Sequence, residues 1–423
     1  MPIAALAVVA LIVVGVAVAV AFGIGALIFF ILLGSNPGQV SSVAFRTLDS
    51  FTYLAIPFFL LAGAIMQSGG VSKRLIEFVG LIAGRFKGGL GATMVGACAL
   101  FGSISGSSVA TVSAIGRIMS KDMADRGYPK QYVGSLIAVS GIIGILIPPS
   151  VPIIVYAVAA GISISDMFLA GAVVGILLTI VLVTYNLLWA RGRELDDLGA
   201  RLSTEQRRST SRRISGAIPA LVMPIIILGG IYSGAFTPTE SGAIACAYGL
   251  LVGLLIYREL KPSAVGGTIL NGLLATAPIL LIIAMGGAFA RAVVISGVPQ
   301  TLADTIAGWA IPAWGLLIVL NLLLFFIGMF IEENTAIVIL VPLLLPLTTA
   351  YGIDPVQFGI IMVLNLGMGL ATPPFAPNLF VAASATETPF HTLVLPALRL
   401  LIVGVLPVLV VVNVFPVLTT FMR

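Results

Sequence analysis

The sequence predicts an all-α polytopic membrane protein made of two inverted repeats, each with a re-entrant hairpin and a broken helix. Three observations lead there. Of 423 residues, 59% are hydrophobic and 9% are charged, and the mean hydropathy is +1.18. A set of helix breakers recurs at a displacement of 225 residues. The loops beside the two copies differ in charge. Soluble domains carry about a quarter of their residues as charges, so this composition excludes a soluble enzyme, a nucleic-acid-binding protein and a disordered chain. A single histidine, His391, and two distant cysteines, Cys98 and Cys246, provide neither a zinc, haem or iron–sulfur ligand set nor a disulfide framework, and no cofactor is expected. The net charge of +5 belongs to loops lying against anionic lipid.

A bilayer core about 30 Å thick is crossed by roughly 20 apolar residues in a helix. Residues 3–33 form a longer uncharged run without the basic start of a signal peptide, and are expected to be one tilted membrane helix within a segment 1–44. The first repeat, 45–190, opens with a span near 45–67 and has further spans near 130–161 and 166–190. Between them lies an apolar stretch, 88–120, with a Gly/Ser-rich centre. Lys73, Arg74, Arg85 and Lys87 precede this stretch, and Arg117, Lys121, Arg126 and Lys130 close it. Basic loops stay cytoplasmic, so both ends lie on one side and the stretch reads as a hairpin. Residues 191–213 hold seven arginines (Arg191, Arg193, Arg201, Arg207, Arg208, Arg212 and Arg213) against four acids, and form a cytoplasmic loop. Two connecting scaffold helices, near 214–232 and 238–258 within 214–265, bring Arg258 and Lys261 back to the same side. The second repeat, 266–423, has spans near 266–290, 356–386 and 394–421 and a second interrupted stretch at 312–349. The scheme has about nine crossings, an odd number, with the N-terminus cytoplasmic and the C-terminus outside.

Residues 144–152 read GILIPPSVP and residues 369–377 read GLATPPFAP. Gly144, Pro148, Pro149 and Pro152 thus meet Gly369, Pro373, Pro374 and Pro377 at the displacement of 225. Gly127 meets Gly352 and Phe101 meets Phe326 in the same way, and Gly70-Val71 with Leu75 has a looser echo in Gly297-Val298 with Leu302. Such a match identifies a duplication. Residues 117–130 carry four basic residues, whereas 342–355 carry only Asp354, so the two loops face opposite sides. Inverted repeats with interrupted helices point to a secondary transporter with its site near the midplane. Neither a GxxxxGK[ST] pattern nor HExxH or GxGD is present, which argues for an ion gradient as energy source and against a membrane protease. A passive channel remains a further possibility.

Proline removes a backbone donor, so carbonyls just before each Pro-Pro pair lose their helical partners. Such carbonyls at membrane depth must be buried in protein or line a cavity, and they suit a hard cation such as sodium. Gly144 and Ile147 are the candidates in the first half, Gly369 and Thr372 in the second. The companion elements are the tip Gly102-Ser103-Ile104-Ser105-Gly106-Ser107-Ser108 and its counterpart from Gly328 to Thr335. Helix N-termini at such tips favour an anionic ligand, so a carboxylate accompanied by cations fits. Ser-Gly runs also occur at ordinary helix contacts, and a Pro-Pro pair alone is also a kink. It is their joint recurrence in inverted halves that marks a site. Glu332 and Glu333 are intramembrane acids that either line the site or sit solvated at the tip. Glu240 after Thr237-Pro238 reads as a structural cap, His391 as a loop residue, and both cysteines as packing.

The segments FGSISGSSVATVSAIG (101–116), GILIPPSVPIIVYA (144–157), TPTESGAIA (237–245), GIDPVQFGIIMVLNLGMGLATPP (352–374) and NLFVAASAT (378–386) resemble the large membrane subunit of tripartite ATP-independent periplasmic (TRAP) transporters. The resemblance runs along essentially the whole chain. It implies an elevator architecture like that of the ion-transporter superfamily, in a bacterial inner membrane, driving sodium-coupled uptake of a small organic acid. It also implies two partners: a small four-helix membrane subunit, expected here as a separate chain, and a periplasmic substrate-binding protein. The sodium positions it implies are Ser103, Ser105, Ser107, Gly144, Ile147 and Pro149 in the first half, and Gly328, Gly369, Thr372 and Pro374 in the second. The substrate positions are Ser108, Ser150, Glu332, Asn334, Thr335 and Asn378. The sequence departs from the family pattern in three places: Thr111 stands where an acid is common, Gln357 where a histidine is common, and Ala376-Pro377 in place of a Gly-containing pair. C4-dicarboxylates, 2-oxoacids, sialic acids and sugar acids all fit as substrates. A stand-alone sodium- or proton-coupled anion carrier is the alternative.

Overall fold

The structure, a computed structural model, describes residues 7–421 except positions 9, 13, 85, 194, 196–203 and 309–310, with backbone alone for 204–213 and 307. Arg85 and Arg201, and the side chains of Arg207, Arg208, Arg212 and Arg213 in the basic loop, lie outside the described residues. No strand occurs among the described residues, and seven of their helices are long and apolar enough to cross a membrane.

The chain runs through α1 (Val18–Leu32), the amphipathic α2 (Gln39–Leu48), α3 (Ala55–Ser68) and α4 (Val71–Ala83). A first hairpin follows, α5 (Gly89–Ser105) and α6 (Ser108–Asp125). Next, α7 (Lys130–Ser140) tightens into a 3-10 turn over Gly141–Ile145, breaks, and resumes as α8 (Val151–Ala160) before the long α9 (Ile164–Ala190). Beyond the basic loop come α10 (Thr204–Tyr232), α11 (Pro238–Leu251) and α12 (Pro262–Ile295). Then α13 (Val298–Ala307) leads to the second hairpin, α14 (Ala313–Gly328) and α15 (Glu333–Ala350). A second broken helix, α16 (Pro355–Leu370) and α17 (Pro377–Thr386), is followed by α18 (Phe390–Leu400), α19 (Leu406–Val414) and the short α20 (Val417–Thr420).

Local chemistry sets these boundaries. Ser107 and Ser150 cap α6 and α8 by accepting from Ala110 N and Ile153 N. Asp354 caps α16, with Pro355 in its first turn. Thr237 and Glu240 form a capping box at the start of α11. The displacement of 225 seen in the sequence holds at helix ends. Ser108 and Glu333 begin α6 and α15, Asp125 and Ala350 end them, and Lys130 and Pro355 begin α7 and α16. Pro148–Pro149 and Pro373–Pro374 are both cis.

The N-terminal run differs from the single helix expected over 3–33. Val16 N donates to Leu11 O and Gly15 N to Ile12 O, with Gly15 at φ +89°, so a Schellman turn ends the first piece and α1 starts afresh at Val18. The first full span also begins late. Residues 45–50 finish α2 and a connector, and the apolar run starts at Phe51.

One group of helices forms a scaffold: α12 packs on α1, α2 and α3, α11 on α3, and α10 on α4 and α11. At one end of this group Arg74 pairs with Glu259 at 2.7 Å and lies over the Tyr257 ring. The hairpins and broken helices form the second group, and here the repeats are interlocked. The resumed half of each broken helix lies on the hairpin of the other repeat, α8 on α15 and α17 on α6. Ser135 Oγ donates to Leu393 O and Tyr156 OH to Pro355 O across the same boundary.

Candidate functional site

At the first tip, Ser105 Oγ, Thr111 Oγ1 and Ser107 O form a triangle of oxygens. Ser105 and Thr111 hydroxyls are 3.1 Å apart, Thr111 donates to Ser107 O at 2.8 Å, and Ser105 Oγ lies 3.5 Å from that carbonyl. Gly144 presses against it: a β-carbon there would lie 2.6 Å from Thr111 Oγ1. The helix can come this close because Gly102 and Gly144 cross backbone to backbone, a Gly102 β-carbon falling 2.5 Å from Gly144 Cα. Pro148 has no N–H, so the Gly144 carbonyl lacks its i+4 donor, whereas Ile145 O is served by Ser150 Oγ at 2.6 Å. Neutral hydroxyls and carbonyls are the donor set a hard monovalent cation takes.

The second tip repeats the close crossing. A β-carbon on Gly369 would lie 2.1 Å from the Gly328 carbonyl carbon. Here Gly369 O accepts from Thr372 N at 3.0 Å, so the carbonyl left without a helical donor is that of Leu370, whose i+4 residue is Pro374. An acid replaces the serines. Glu332 caps α15, accepting from Thr335 N at 3.0 Å, Thr335 Oγ1 at 3.2 Å and Asn334 Nδ2. The tips dock on the breaks alike, Val151 N donating to Gly106 O and Phe375 N to Met329 O, both at 3.3 Å. The two breaks differ in exposure: Pro149 and Ser150 are buried, while Pro374 is exposed and Phe375 is 59% exposed.

Between the two tips and the resumed helices lies a cavity of about 640 Å³. Ser107, Val151, Gly328, Glu332, Glu333 and Asn334 line it from the hairpins and breaks, and Leu60 of α3 and Ile279 of α12 close it from the scaffold. Phe330, Phe375 and Phe380 supply aromatic wall.

Several sequence-derived positions have side chains engaged outside the cavity. Ser108, Ser150 and Asn378, expected at the substrate, are fully buried outside the cavity lining. Asn378 Nδ2 donates to Ser108 Oγ at 2.7 Å and Ala138 O at 2.9 Å, so this pair joins the repeats behind the first tip. Thr335 is likewise occupied by Glu332 and absent from the lining. Among the expected sodium positions, Ser103 Oγ turns back to Leu100 O at 2.7 Å, and Thr372 Oγ1 to Met368 O at 2.8 Å. Ile147 packs on Gly175 of α9, and Pro149 O faces Gly106. Thr111 is the residue that site reading of the sequence passed over. Its signal was there, a hydroxyl one turn after Ser107.

Residues 5–418 match the family model of the tripartite ATP-independent periplasmic transporter, DctM component. The chain is 39% identical over 384 residues to the C4-dicarboxylate TRAP transporter large permease protein DctM of Pseudomonas aeruginosa, covering 90% of this chain and 89% of that one. It is 38% identical over 369 residues to the sialic acid TRAP transporter large permease protein SiaM of Vibrio cholerae, covering 87% and 85%. Identity of 38% with the isethionate TRAP transporter permease protein DctMQ of Oleidesulfovibrio alaskensis covers 92% of this chain but 62% of that longer relative. Among solved structures, the Alcanivorax borkumensis YdaH transporter superposes with a TM-score of 0.63 at 16% identity, covering 88% and 87%. Neisseria gonorrhoeae MtrF, an antimetabolite efflux pump, superposes with 0.62 at 12%, covering 89% and 84%. At those identities the likeness speaks for the fold.

Proposed function

The chain belongs to the DctM-component family of TRAP transporters, and from that membership we propose that it takes up a small organic acid by sodium symport across a bacterial inner membrane. The observation that carries the reading is the cavity between the two hairpin tips and both helix breaks, closed by the scaffold at Leu60 and Ile279. The oxygen triangle of Ser105, Ser107 and Thr111 against Gly144 supports a sodium ion as co-substrate beside it. Helix N-termini at Ser107 and Val151 support a carboxylate within it.

In this reading the interlocked hairpins and broken helices move as one body against α1–α3 and α10–α12, carrying the cavity from one side to the other. The N-terminus is cytoplasmic and the C-terminus periplasmic. A small four-helix membrane subunit and a periplasmic binding protein complete the system, the latter delivering the acid. The relatives are named for C4-dicarboxylates, sialic acid and isethionate, all small organic acids.

Uptake into proteoliposomes holding the permease, its small subunit and its binding protein tests this. Accumulation is expected only with an inward sodium gradient and the binding protein. Accumulation unchanged when potassium replaces sodium would sink the sodium reading, and full uptake without the binding protein would favour a stand-alone carrier.

A further inference from the structure

The charge in the cavity runs against a purely anionic substrate. Its lining has two ionisable residues, Glu332 and Glu333, and no lysine, arginine or histidine among the described residues. The two acids are in different situations. Glu332 spends its oxygens on the α15 cap and on Asn334 Nδ2. Glu333 makes no hydrogen bond to another residue, yet it is only 7% exposed and lines the cavity. An acid serving only the helix dipole sits comfortably in water, whereas a carboxyl held this far from water keeps a proton until a cationic partner takes its place.

Asn334 provides an independent sign. Because a carboxylate only accepts, Asn334 presents its amide nitrogen to Glu332, and its Oδ1 is left buried without a partner. The residue is 4% exposed and lines the same wall. The side chains of that wall therefore offer acceptors, set around the N-terminus of α15. The opposite wall offers donors: the Ser107 hydroxyl and the N-termini of α6 and α8 at Ser107 and Val151. The side chains of the cavity are thus polar in two senses, a donor hydroxyl at the first hairpin and acid and amide oxygens at the second.

Resting on the transporter reading above, we infer that the substrate is a zwitterion, a carboxylic acid that also carries an ammonium group. Its carboxylate lies toward Ser107 and Val151, and its ammonium donates to Glu333 and Asn334 Oδ1. Glu333 is then the specificity-determining residue that separates amino acids from their deaminated analogues.

Binding to the permease in lipid nanodiscs with sodium present tests this with three matched pairs: L-aspartate and succinate, L-glutamate and glutarate, L-phenylalanine and 3-phenylpropionate. The last pair addresses the aromatic wall. In at least one pair the amino acid is expected to bind about tenfold or more tightly. Glu333→Gln is expected to bring that pair within about twofold, and Glu333→Asp to keep the preference. Sodium-dependent thermal stabilisation unchanged in Glu333→Gln shows that the variant is folded with its cation site intact; loss of that stabilisation assigns Glu333 to the cation and overturns the inference. Equal or tighter binding of the deaminated acid in every pair, no binding by any of the six, or a preference that survives Glu333→Gln overturns it as well. Sodium-driven uptake of succinate or glutarate with no such preference leaves the transporter reading standing, whereas absence of all sodium-driven uptake defeats both.

Discussion

Thr111 lies one turn into α6, where its hydroxyl meets Ser105 Oγ and Ser107 O in a fully buried spot. It offers an oxygen but no charge. Thr111→Val preserves the shape and removes that oxygen. The sodium concentration for half-maximal uptake is therefore expected to rise about tenfold or more, read from uptake against sodium at fixed membrane potential. Gly369 is a different kind of constraint. A methyl group there would meet the Gly328 carbonyl carbon at 2.1 Å, and backbone does not yield as a flexible side chain does. Gly369→Ala is expected to cost about 1–3 kcal/mol of stability by overpacking and to abolish uptake. Thermal unfolding in detergent and sodium-driven uptake check the two effects separately.

The broken helices end in related ways with different residues. After α8, Gly161 sits at φ +67° and Ile162 N donates to Ala157 O at 2.9 Å. After α17, Glu387 takes the left-handed position at φ +50°, and Thr388 N donates to Ala383 O at 3.0 Å. A left-handed L-residue costs roughly 1–2 kcal/mol, and the extra freedom of glycine in the unfolded chain offsets about 0.4–1 kcal/mol of that. Glu387→Gly is thus expected to stabilise the protein by about 0.5–1 kcal/mol, seen as a higher midpoint of unfolding. Helix breakers explain why so much of this architecture was legible from sequence. Pro148, Pro149, Pro373 and Pro374 dictate where hydrogen bonding fails whatever surrounds them, and the duplication copied their spacing. Side chains that find partners through tertiary packing left no such trace. Asn321, Asn365 and Asn413 meet from α14, α16 and α19, Asn365 Nδ2 donating to Asn321 Oδ1 at 2.7 Å and Asn321 Nδ2 to Asn413 Oδ1 at 2.8 Å. In sequence they are three isolated amides in apolar runs. Gln357, noted as a departure, stands 225 residues after Tyr132. Both reach the last long helix of their repeat, Gln357 through Val412 O and Tyr132 through Asn186. The turn at Val14–Ala17 was hidden because one glycine in an apolar run is unremarkable in a membrane helix.

For the protein as a whole, the proposed motion requires the seam between α12 and α15 to slide. The seam is close-packed at Gly286: a β-carbon there falls 3.4 Å from Val338 Cβ. That is just below the range of about 3.5–4.5 Å for a disulfide, a gap that a small shift of the helices closes. A Gly286→Cys, Val338→Cys pair is expected to cross-link under mild oxidation, to stop uptake, and to regain it with dithiothreitol. Full uptake by the cross-linked protein would show that α15 does not move against α12. Both native cysteines are buried, which limits competing cross-links.

Interlocking of the repeats has a further consequence, for biogenesis. The backbone carbonyl of Ala138, just ahead of the first break, receives its amide donor from Asn378, 240 residues later in the chain. At roughly 5–20 residues per second, that interval is about 12–48 s of translation. Throughout it, the first broken helix stands in the bilayer without the surface of α17 that covers it in the finished protein. The nascent first half is therefore the vulnerable species in the life of this protein, one for membrane quality control to hold or destroy. A chain halted before residue 378 should be cleared by proteolysis, and the two halves expressed as separate polypeptides should each be short-lived alone and persist together.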